Sequence, residues 1–258
     1  MTYEFIAVEI RDHLMQVTIN RPEVMNALHQ PAHEELNAAF DEFQESPDLW
    51  VALLTGAGEK AFCVGDDLKY RVKVGSEQVT MPCGGFGGIT RRFDCFKPIV
   101  AAVRGYALGG GFEIALACDA IVAAEDALFG LPEPRVGMIA ATGVHRLSRQ
   151  IPYHLAMGLI LTGKRITARE AHRLGIVSEV IPAGQLLTNA ERWAQEILEC
   201  APLSVRASKE AVNEGLKRSL EEALATNYPT EKRMKASDDY IEGLQSFAEK
   251  RKPNWKGR

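Results

Sequence analysis

The sequence of 258 residues lacks the features that mark several large classes of protein. No apolar run reaches the roughly 20 residues that span a bilayer. The first residues, MTYEFIAVEIRDHL, show no basic segment followed by an apolar core, as a signal peptide would. The five cysteines (Cys63, Cys83, Cys95, Cys118 and Cys200) include no CxxC pair, so neither a zinc site nor a disulfide framework is indicated. We therefore expect a reduced, cytoplasmic protein without a membrane span.

A positive net charge is also missing. The formal net charge is −4 at pH 7 and the isoelectric point is near 5.9, so no general basic field draws the protein to nucleic acid or to an anionic membrane. The 46% hydrophobic and 25% charged residues are typical of a globular protein with a substantial core. The composition therefore predicts neither a nucleic-acid nor a membrane partner, and an enzyme is the default expectation.

The glycine-rich segments do not match the common nucleotide-binding motifs. The triplet Gly109-Gly110-Gly111 is followed by Ile114 where a GxGxxG motif has its third glycine. The segment TGAGEKAF, at 55–62, lacks the GK[ST] ending of a phosphate-binding loop. Dinucleotide and ATP binding are therefore only weakly indicated.

Hydrophobic periodicity divides the chain into β/α units and a helical end. The alternating segments YEFIAVEI and LMQVTIN predict a hairpin, and ALHQPAHEELNAAFDEFQ has the period of an amphipathic helix. The apolar segments WVALLTG and PIVAAVRGYA predict buried strands, and AIVAAEDALFG predicts a strand followed by a turn. The segment 70–88 is rich in glycine and polar residues and is predicted to be a loop. From about residue 154 the pattern is mostly helical.

The stretch GYALGGGFEIALACD, from Gly105 to Asp119, places three glycines between a predicted strand and a predicted helix. Backbone N–H groups at a helix start have no intrahelical acceptor, and glycine lets a ligand approach them closely. Such a turn suits a phosphate or a developing oxyanion. A tight turn that only glycine can form explains the triplet equally well on its own.

Two glutamates follow this turn. Glu113 lies on the first turn of the predicted helix, and Glu133 lies between two prolines in FGLPEPRVG. A single strand joins them, so one pocket could hold both carboxyl groups as an acid and a base. The simpler alternatives are an acid that complements the helix dipole and a solvated loop charge. A second glycine turn, in FCVGDDLK, could supply another N–H group to the carbonyl oxygen of a thioester.

The order of these segments resembles that of the crotonase (enoyl-CoA hydratase/isomerase) superfamily from end to end. The similar segments are RPEVMNAL (21–28), TGAGEKAFCVGDDLK (55–69), KPIVAAVRGYALGGGFEIALACD (97–119), FGLPEPRVG (129–137), LTGKRITAREAHRLGIVSEVI (161–181) and FAEKRKPNWKGR (247–258). The resemblance implies an α/β fold, a crotonase-type spiral of ββα units with a C-terminal helical region. Residues 1–200 would form the catalytic core, and residues 201–258 would serve oligomerisation and cover the active site.

The resemblance also implies partners and site residues. The substrate would be an acyl-CoA thioester, and no metal or cofactor would be needed besides the CoA of the substrate. The assembly would be a homotrimer or a hexamer built as a dimer of trimers. The N–H groups of Gly110 and Asp66 would form the oxyanion hole, with Glu113 and Glu133 as the two catalytic glutamates. The implied CoA contacts are Met25, Ala27, Ala61, Val64, Phe247 and Lys250. Phe247 and Lys250 would contact the nucleotide end of CoA, either in the same subunit or in a neighbouring one.

Three positions depart from the family pattern. Asp66 stands where a small or apolar residue is usual, and a carboxylate there would oppose a developing oxyanion unless it points away. The segment MIAATGVHRL lacks the proline and paired glycines that commonly follow the second glutamate, and His145 within it is a candidate for shaping the acyl pocket. Arg104 replaces a common asparagine. Because of these departures, the sequence predicts the identity of the acyl group less well than the type of reaction. Loops 70–90 and 138–150 would determine which acyl group is bound.

Retention of both glutamates predicts reversible hydration of a 2-enoyl-CoA to a 3-hydroxyacyl-CoA. The segments GGFGG and FAEKRKPNWKGR are most similar to carnitinyl-CoA dehydratase-like members, so dehydration of a carnitinyl-type substrate is an alternative, as are enoyl-CoA isomerisation and thioester hydrolysis. A non-catalytic acyl-CoA-binding or scaffolding protein and an RNA-binding side role are alternatives of other kinds. The paired glutamates argue against the first and the negative net charge against the second.

Overall fold

The computed structural model describes residues 3–258, except for the side chain of Ser76. The strands are β1 (Ile6–Arg11), β2 (Leu14–Ile19), β3 (Val51–Gly56), β4 (Ala61–Cys63), β5 (Ile99–Val103), β6 (Tyr106–Leu108), β7 (Ala120–Ala124), β8 (Leu128–Gly130), β9 (Arg165–Thr167) and β10 (Glu179–Ile181). The α-helices are α1 (Gln30–Glu45), α2 (Leu68–Val74), α3 (Gly110–Ala117), α4 (Gly143–Gln150), α5 (Tyr153–Thr162), α6 (Ala168–Arg173), α7 (Leu186–Leu198), α8 (Pro202–Gly215), α9 (Leu220–Ala225), α10 (Pro229–Lys235) and α11 (Asp238–Glu249). Short 3-10 helices lie at Pro22–Val24, Ser76–Gln78, Phe86–Gly88, Glu133–Val136 and Ala183–Gln185.

Six strands form the main sheet in the order β1-β2-β3-β5-β7-β10. Strands β1 and β2 pair antiparallel with Ile6 opposite Ile19, which confirms the predicted hairpin. The other neighbouring strands pair in parallel. Parallel strands are usually covered on both faces. This explains why β3, β5 and β7 consist of almost continuous apolar residues.

The two faces of the main sheet bury two separate apolar clusters. In β3, Ala52 and Leu54 belong to the larger cluster, whereas Val51 and Leu53 belong to the smaller one. Strands β5 and β7 alternate in the same way, because successive side chains of a strand point to opposite faces. Helix α7 covers the smaller cluster, and the larger one fills the space between the sheet, α1 and α3.

A second sheet has the order β4-β6-β8-β9, with the first three strands parallel and β9 antiparallel to β8. Each repeating unit contributes one strand to each sheet and then a helix, as in β3-β4-α2 and β5-β6-α3. This arrangement confirms the predicted α/β fold of ββα units. Because β4, β6 and β8 are parallel, their carboxyl ends meet at one edge, which brings together the segments 64–66, 109–111 and 131–133.

Helices α8 to α11 form the end of the chain, and the boundary predicted at 200/201 falls between α7 and α8. Asp239, on the first turn of α11, is buried and accepts hydrogen bonds from the N–H groups of Lys256 (2.6 Å) and Gly257 (2.8 Å). The last residues are thereby fixed against α11. The roles predicted for residues 201–258, in oligomerisation and in covering the site, stay predictions.

Part of the segment predicted as a loop is helical. Helix α2 covers its first residues and begins at Leu68, after Asp67, whose side chain accepts a hydrogen bond from the Tyr70 N–H (3.1 Å). The helix buries none of its residues, so it shows no apolar stripe in the sequence. Its signal was the capping residue Asp67, a type that favours helix starts. None of the helices described within residues 3–258 is long and apolar enough to cross a membrane.

Candidate active site

The glycine triplet links β6 to α3 in a turn that glycine alone can form. Gly109 has φ +55° and ψ −129°, a backbone conformation that side chains disfavour. A Cβ atom at Gly111 would lie 1.9 Å from the carbonyl oxygen of Cys63, so α3 packs directly against the end of β4. The triplet is thus required both for the turn and for the close approach of the two segments.

A cavity of about 270 Å³ opens beside this turn. Its walls come from the ends of β4 and β6, from the 3-10 helix at Glu133–Val136, and from the loops before and after these elements. Four residues predicted to act in catalysis line it together: Asp66, Gly110, Glu113 and Glu133. The structure therefore gathers in one place residues that lie up to 67 positions apart in the sequence.

Two backbone N–H groups at the cavity have no acceptor among residues 3–258. The Gly110 N–H is the first of α3, where no intrahelical acceptor exists. The Asp66 N–H is also free, because its neighbours Gly65 and Asp67 make the hydrogen bonds to Leu28. A Cβ atom at Gly65 would lie 2.9 Å from the Gly110 nitrogen, so the two turns are in contact. The pair can hold one oxygen that develops negative charge.

The carboxylate of Asp66 is neutralised within the site. Its Oδ2 accepts a hydrogen bond from Nε of Arg71 at 2.5 Å, and both side chains are largely buried. Arg71 lies on α2, five residues after Asp66, so the helix that sequence periodicity missed supplies the partner. The charge that was expected to oppose an oxyanion is paired with a cation, and the Asp66 N–H remains available.

Glu113 lies on the first turn of α3 and is only 5% exposed. Its Oε1 accepts hydrogen bonds from the N–H groups of Thr142 (2.8 Å) and Gly143 (2.7 Å). These residues are the N-cap and first residue of α4, so the carboxylate also lies at the positive end of that helix dipole. The two hydrogen bonds fix the Glu113 carboxyl group at the cavity wall, where it can act as a general base.

Glu133 begins a 3-10 helix after β8, and its carboxyl group meets Glu113 in the same cavity. Its Oε2 is buried and has no hydrogen-bond partner among the described residues. Burial raises the pKa of Glu133 to about 7, and the negative charge of Glu113 adds to the rise, while the backbone N–H of Glu133 offsets part of it. A pKa near neutrality lets Glu133 hold and release a proton at about pH 7, as a general acid must, and the two carboxyl groups can divide the roles of acid and base.

The far walls of the cavity come from the two segments expected to set the acyl group. Met81, Phe86 and Thr90 line it from one segment, and Met138, Ile139, Ala141 and Thr142 from the other. The Phe86 ring packs on His33 with centroids 4.3 Å apart, and a Cβ atom at Gly110 would lie 2.4 Å from that ring. Glycine at 110 therefore lets the Phe86 ring pack directly against the start of α3.

Two residues noted among the departures from the family pattern, His145 and Arg104, lie outside the cavity. His145 is exposed on α4 and does not line the cavity, so the idea that it shapes the acyl pocket is wrong. Thr142, three residues earlier, lines the cavity instead. It lies in the segment IAATG, which matches no motif, so the sequence did not indicate it as a site residue. Arg104 makes surface ion pairs with Glu59 (3.0 Å) and Asp126 (3.4 Å).

Four of the predicted CoA contacts belong to two neighbouring segments. The carbonyl of Met25 accepts a hydrogen bond from the Val64 N–H (3.3 Å), and Ala27 is buried close by. The carbonyl of Ala61 accepts from the buried Asn26 side chain (2.8 Å), which ties the segments together. Of the four, Val64 lines the cavity. Their contact with CoA stays a prediction.

The other two predicted CoA contacts lie apart from the cavity. Phe247, on α11, is 88% exposed, and Lys250 is exposed at the C-cap of that helix. Neither residue lines the cavity of its own chain. Within residues 3–258, no group of three or more His, Cys, Asp or Glu side chains is arranged to hold a metal ion.

Comparisons with known proteins agree with this geometry. The model of the enoyl-CoA hydratase/isomerase family matches residues 9–258. The chain is 39% identical over 256 residues to a carnitinyl-CoA dehydratase of Proteus mirabilis, covering 96% of this chain and 97% of the relative. It is 41% identical over 254 residues to that of Salmonella paratyphi A, covering 95% of each.

Solved structures give the same result. The fold superposes on an enoyl-CoA hydratase of Mycobacterium marinum with a TM-score of 0.92 at 40% identity, covering 98% of this chain and 99% of the other. An enoyl-CoA hydratase of Bacillus anthracis gives a TM-score of 0.91 at 37% identity, covering 99% and 100%. The likeness therefore extends over the whole architecture.

Proposed function

The chain belongs to the enoyl-CoA hydratase/isomerase family, and we propose that it adds water reversibly across the C2=C3 double bond of a 2-enoyl-CoA, giving a 3-hydroxyacyl-CoA. Its relatives by sequence and structure are hydratases and dehydratases, so this chain is an enzyme of the hydro-lyase class. The observation that supports hydration is the placement of Glu113 and Glu133 in one cavity beside two free N–H groups.

In the proposed mechanism, the thioester oxygen accepts hydrogen bonds from the Gly110 and Asp66 N–H groups. One such donor is typically worth about 2.7–4 kcal/mol of transition-state stabilisation. Glu113 takes a proton from water as the oxygen bonds to C3, and Glu133 gives its proton to C2. The buried, poorly hydrated position of Glu113 strengthens these interactions, because charges act more strongly where water is excluded. The two carboxyl groups hold one proton in total before and after the step.

Dehydration of a 3-hydroxyacyl-CoA is the second candidate, because the curated relatives at about 40% identity are named carnitinyl-CoA dehydratases. The same residues serve both directions, since the reverse step returns a proton to Glu133 and removes the C3 oxygen as water. The two candidates therefore differ in the acyl group and in direction. The cavity volume of about 270 Å³ lies at the small end for ligand sites and favours a short acyl chain.

The proposed reaction is tested with crotonyl-CoA, a short neutral 2-enoyl-CoA. We expect the absorbance of the conjugated thioester to fall as 3-hydroxybutyryl-CoA forms, with the product identified by mass spectrometry. Incubation with 3-hydroxybutyryl-CoA should restore the absorbance to the same equilibrium. Binding of crotonyl-CoA without any change in the ligand would contradict the proposal and favour a non-catalytic acyl-CoA-binding protein.

We also propose that the chain forms a trimer or a hexamer through its C-terminal helices. Large apolar side chains stand exposed on or beside α8 and α9 and on α11, a pattern typical of protein interfaces; they are Val212, Leu216, Leu220, Leu224, Ile241, Leu244 and Phe247. Light scattering should give three or six times the 28.4 kDa mass of the chain. Leu220→Glu should lower that mass, whereas Ile10→Glu, on the edge strand β1, should not. A monomeric wild type would contradict the proposal.

A further inference from the structure

One arginine at the cavity has no acidic partner. Arg71 and Arg91 both line the cavity, and Arg71 is paired with Asp66. The guanidinium of Arg91 makes no ion pair and no hydrogen bond with the described residues 3–258. Arg91 also borders a surface hollow lined by Asp41, Glu45 and Asp94, and none of these acids pairs with it. Arg91 is thus a solvent-exposed cation of the cavity wall that makes no ion pair with the described residues.

The stem of Arg91 is held against the cavity wall. Its backbone N–H donates to the carbonyl of Gly84 (2.8 Å). At Gly85, which has φ +77°, a Cβ atom would lie 2.8 Å from Cγ of Arg91 and 2.6 Å from the hydroxyl of Thr90. The turn at Gly85 therefore packs tightly on both side chains. The Cγ atom of Arg91 is therefore held in place, and its side chain lines the cavity together with Phe86 and Met81 at the acyl end.

The residue before Arg91 adds an unused hydroxyl group. Thr90 is 0% exposed and lines the cavity, and its Oγ1 has no hydrogen-bond partner. Buried hydroxyl groups without a partner are uncommon in folded proteins and often mark the position of a ligand or water. A free guanidinium and a free hydroxyl on adjacent residues supply N–H and O–H donors to one acceptor. A carboxylate is the acceptor that such a pair fits best.

We infer that Thr90 and Arg91 make the acyl end of the cavity selective for a short acyl chain that ends in a carboxylate. This inference rests on the proposed function, because it names the substrate class of the same site. It also separates this chain from its relatives. A carnitinyl group carries a permanent trimethylammonium charge, which would meet the Arg91 guanidinium as a like charge. The acids that line the cavity are Asp66, which is paired with Arg71, and the two glutamates of the reaction centre.

The inference is tested by binding of three saturated thioesters that cannot undergo hydration. Their acyl ends are neutral (butyryl-CoA), anionic (glutaryl-CoA) and cationic (4-trimethylammoniobutyryl-CoA). In calorimetric titrations of wild type we expect glutaryl-CoA to bind roughly tenfold more tightly than butyryl-CoA, the usual size of one charged hydrogen bond at a partly exposed site. The cationic thioester should bind most weakly, and added salt should reduce both differences.

Variants assign the selectivity to Arg91. Arg91→Gln should lose the preference for glutaryl-CoA while its affinity for butyryl-CoA changes less than about threefold, and Arg91→Glu should favour the cationic thioester. The matched control is Arg173→Gln, an exposed arginine on α6, which should keep the wild-type order. Equal binding of the three thioesters by wild type overturns the inference. So does an equal loss for all three in Arg91→Gln, which would place Arg91 on the CoA moiety.

The binding order does not depend on turnover. If wild type shows the expected order but leaves crotonyl-CoA unchanged, the proposed reaction fails and the assignment of Arg91 stands. If crotonyl-CoA is hydrated and the order is absent, the reaction stands and the assignment fails.

Discussion

Replacing Glu113 by glutamine should lower kcat for the hydration of crotonyl-CoA by about three to four orders of magnitude. The amide cannot take the proton of the attacking water, and a general base typically contributes about 10²–10⁴-fold. The loss should lie near the upper end of this range, because the hydrogen bonds from Thr142 and Gly143 fix the Glu113 carboxyl group at the cavity. The decay of the thioester absorbance, followed at saturating substrate, gives kcat directly.

The glutamine variant should keep its fold. Its side-chain oxygen can still accept the hydrogen bonds from Thr142 and Gly143, so α4 retains its position. We expect an unchanged dissociation constant for butyryl-CoA and a melting temperature close to that of wild type. Glu9→Gln, an exposed acid on β1, is the matched control and should leave kcat unchanged. If Glu113→Gln keeps more than a tenth of the activity, Glu113 is not the base.

The second large effect concerns Glu133 and appears in the pH profile. Burial raises the pKa of Glu133 to about 7, so the proton that it gives to C2 is lost as the pH rises through that value. We expect kcat/KM for hydration to fall about tenfold per pH unit well above pH 7. Hydration consumes no net proton, and therefore dehydration of 3-hydroxybutyryl-CoA should show the same falling limb. Steady-state rates between pH 5.5 and 9 test this expectation.

Glu133→Gln should lose about two to four orders of magnitude in kcat/KM, and its residual rate should lack the falling limb above pH 7. The folded state of wild type holds the Glu133 proton up to about pH 7, whereas an unfolded glutamate releases it near 4.5. Folding therefore loses stability as the pH rises from about 4.5 to about 7, and the loss persists above pH 7, where the buried group is ionised. The variant should melt no lower than wild type at pH 8. A falling limb that survives in the variant would assign the titration to another group.

Much of the fold could be predicted from the sequence because local patterns matched the final structure. The alternation in 3–20 gave the β1–β2 hairpin, and continuous apolar segments gave β3, β5 and β7. Short elements gave no such signal. Strand β4 has three residues, too few for a period, and α2 lies on the surface without an apolar face. The capping residue Asp67 is the local signal for α2.

The sequence singled out the candidate catalytic residues but not the residues that surround them. Gly110, Glu113 and Glu133 stand in recognisable segments, and the structure places them around one cavity. The concern raised by Asp66 is resolved by Arg71, a partner from a helix that periodicity did not show. Thr90 and Arg91 carry no motif, since their significance depends on a missing hydrogen bond and a missing counter-ion. A missing hydrogen bond or counter-ion can be recognised only when the positions of all neighbouring residues are known.

The N-terminus of α4 has a consequence for how this enzyme can evolve. Thr142 donates its N–H to Glu113 and also lines the acyl cavity, together with Met138, Ile139 and Ala141. Substitutions in 138–142 that reshape the acyl end therefore also displace the support of the proposed base. On the opposite wall, Thr90 and Arg91 share no hydrogen bond with either glutamate. Substitutions at positions 81–91 can therefore change the substrate preference without displacing the proposed base. Substitutions at 138–142 that improve binding of a new acyl group are expected to lower the reaction rate as well.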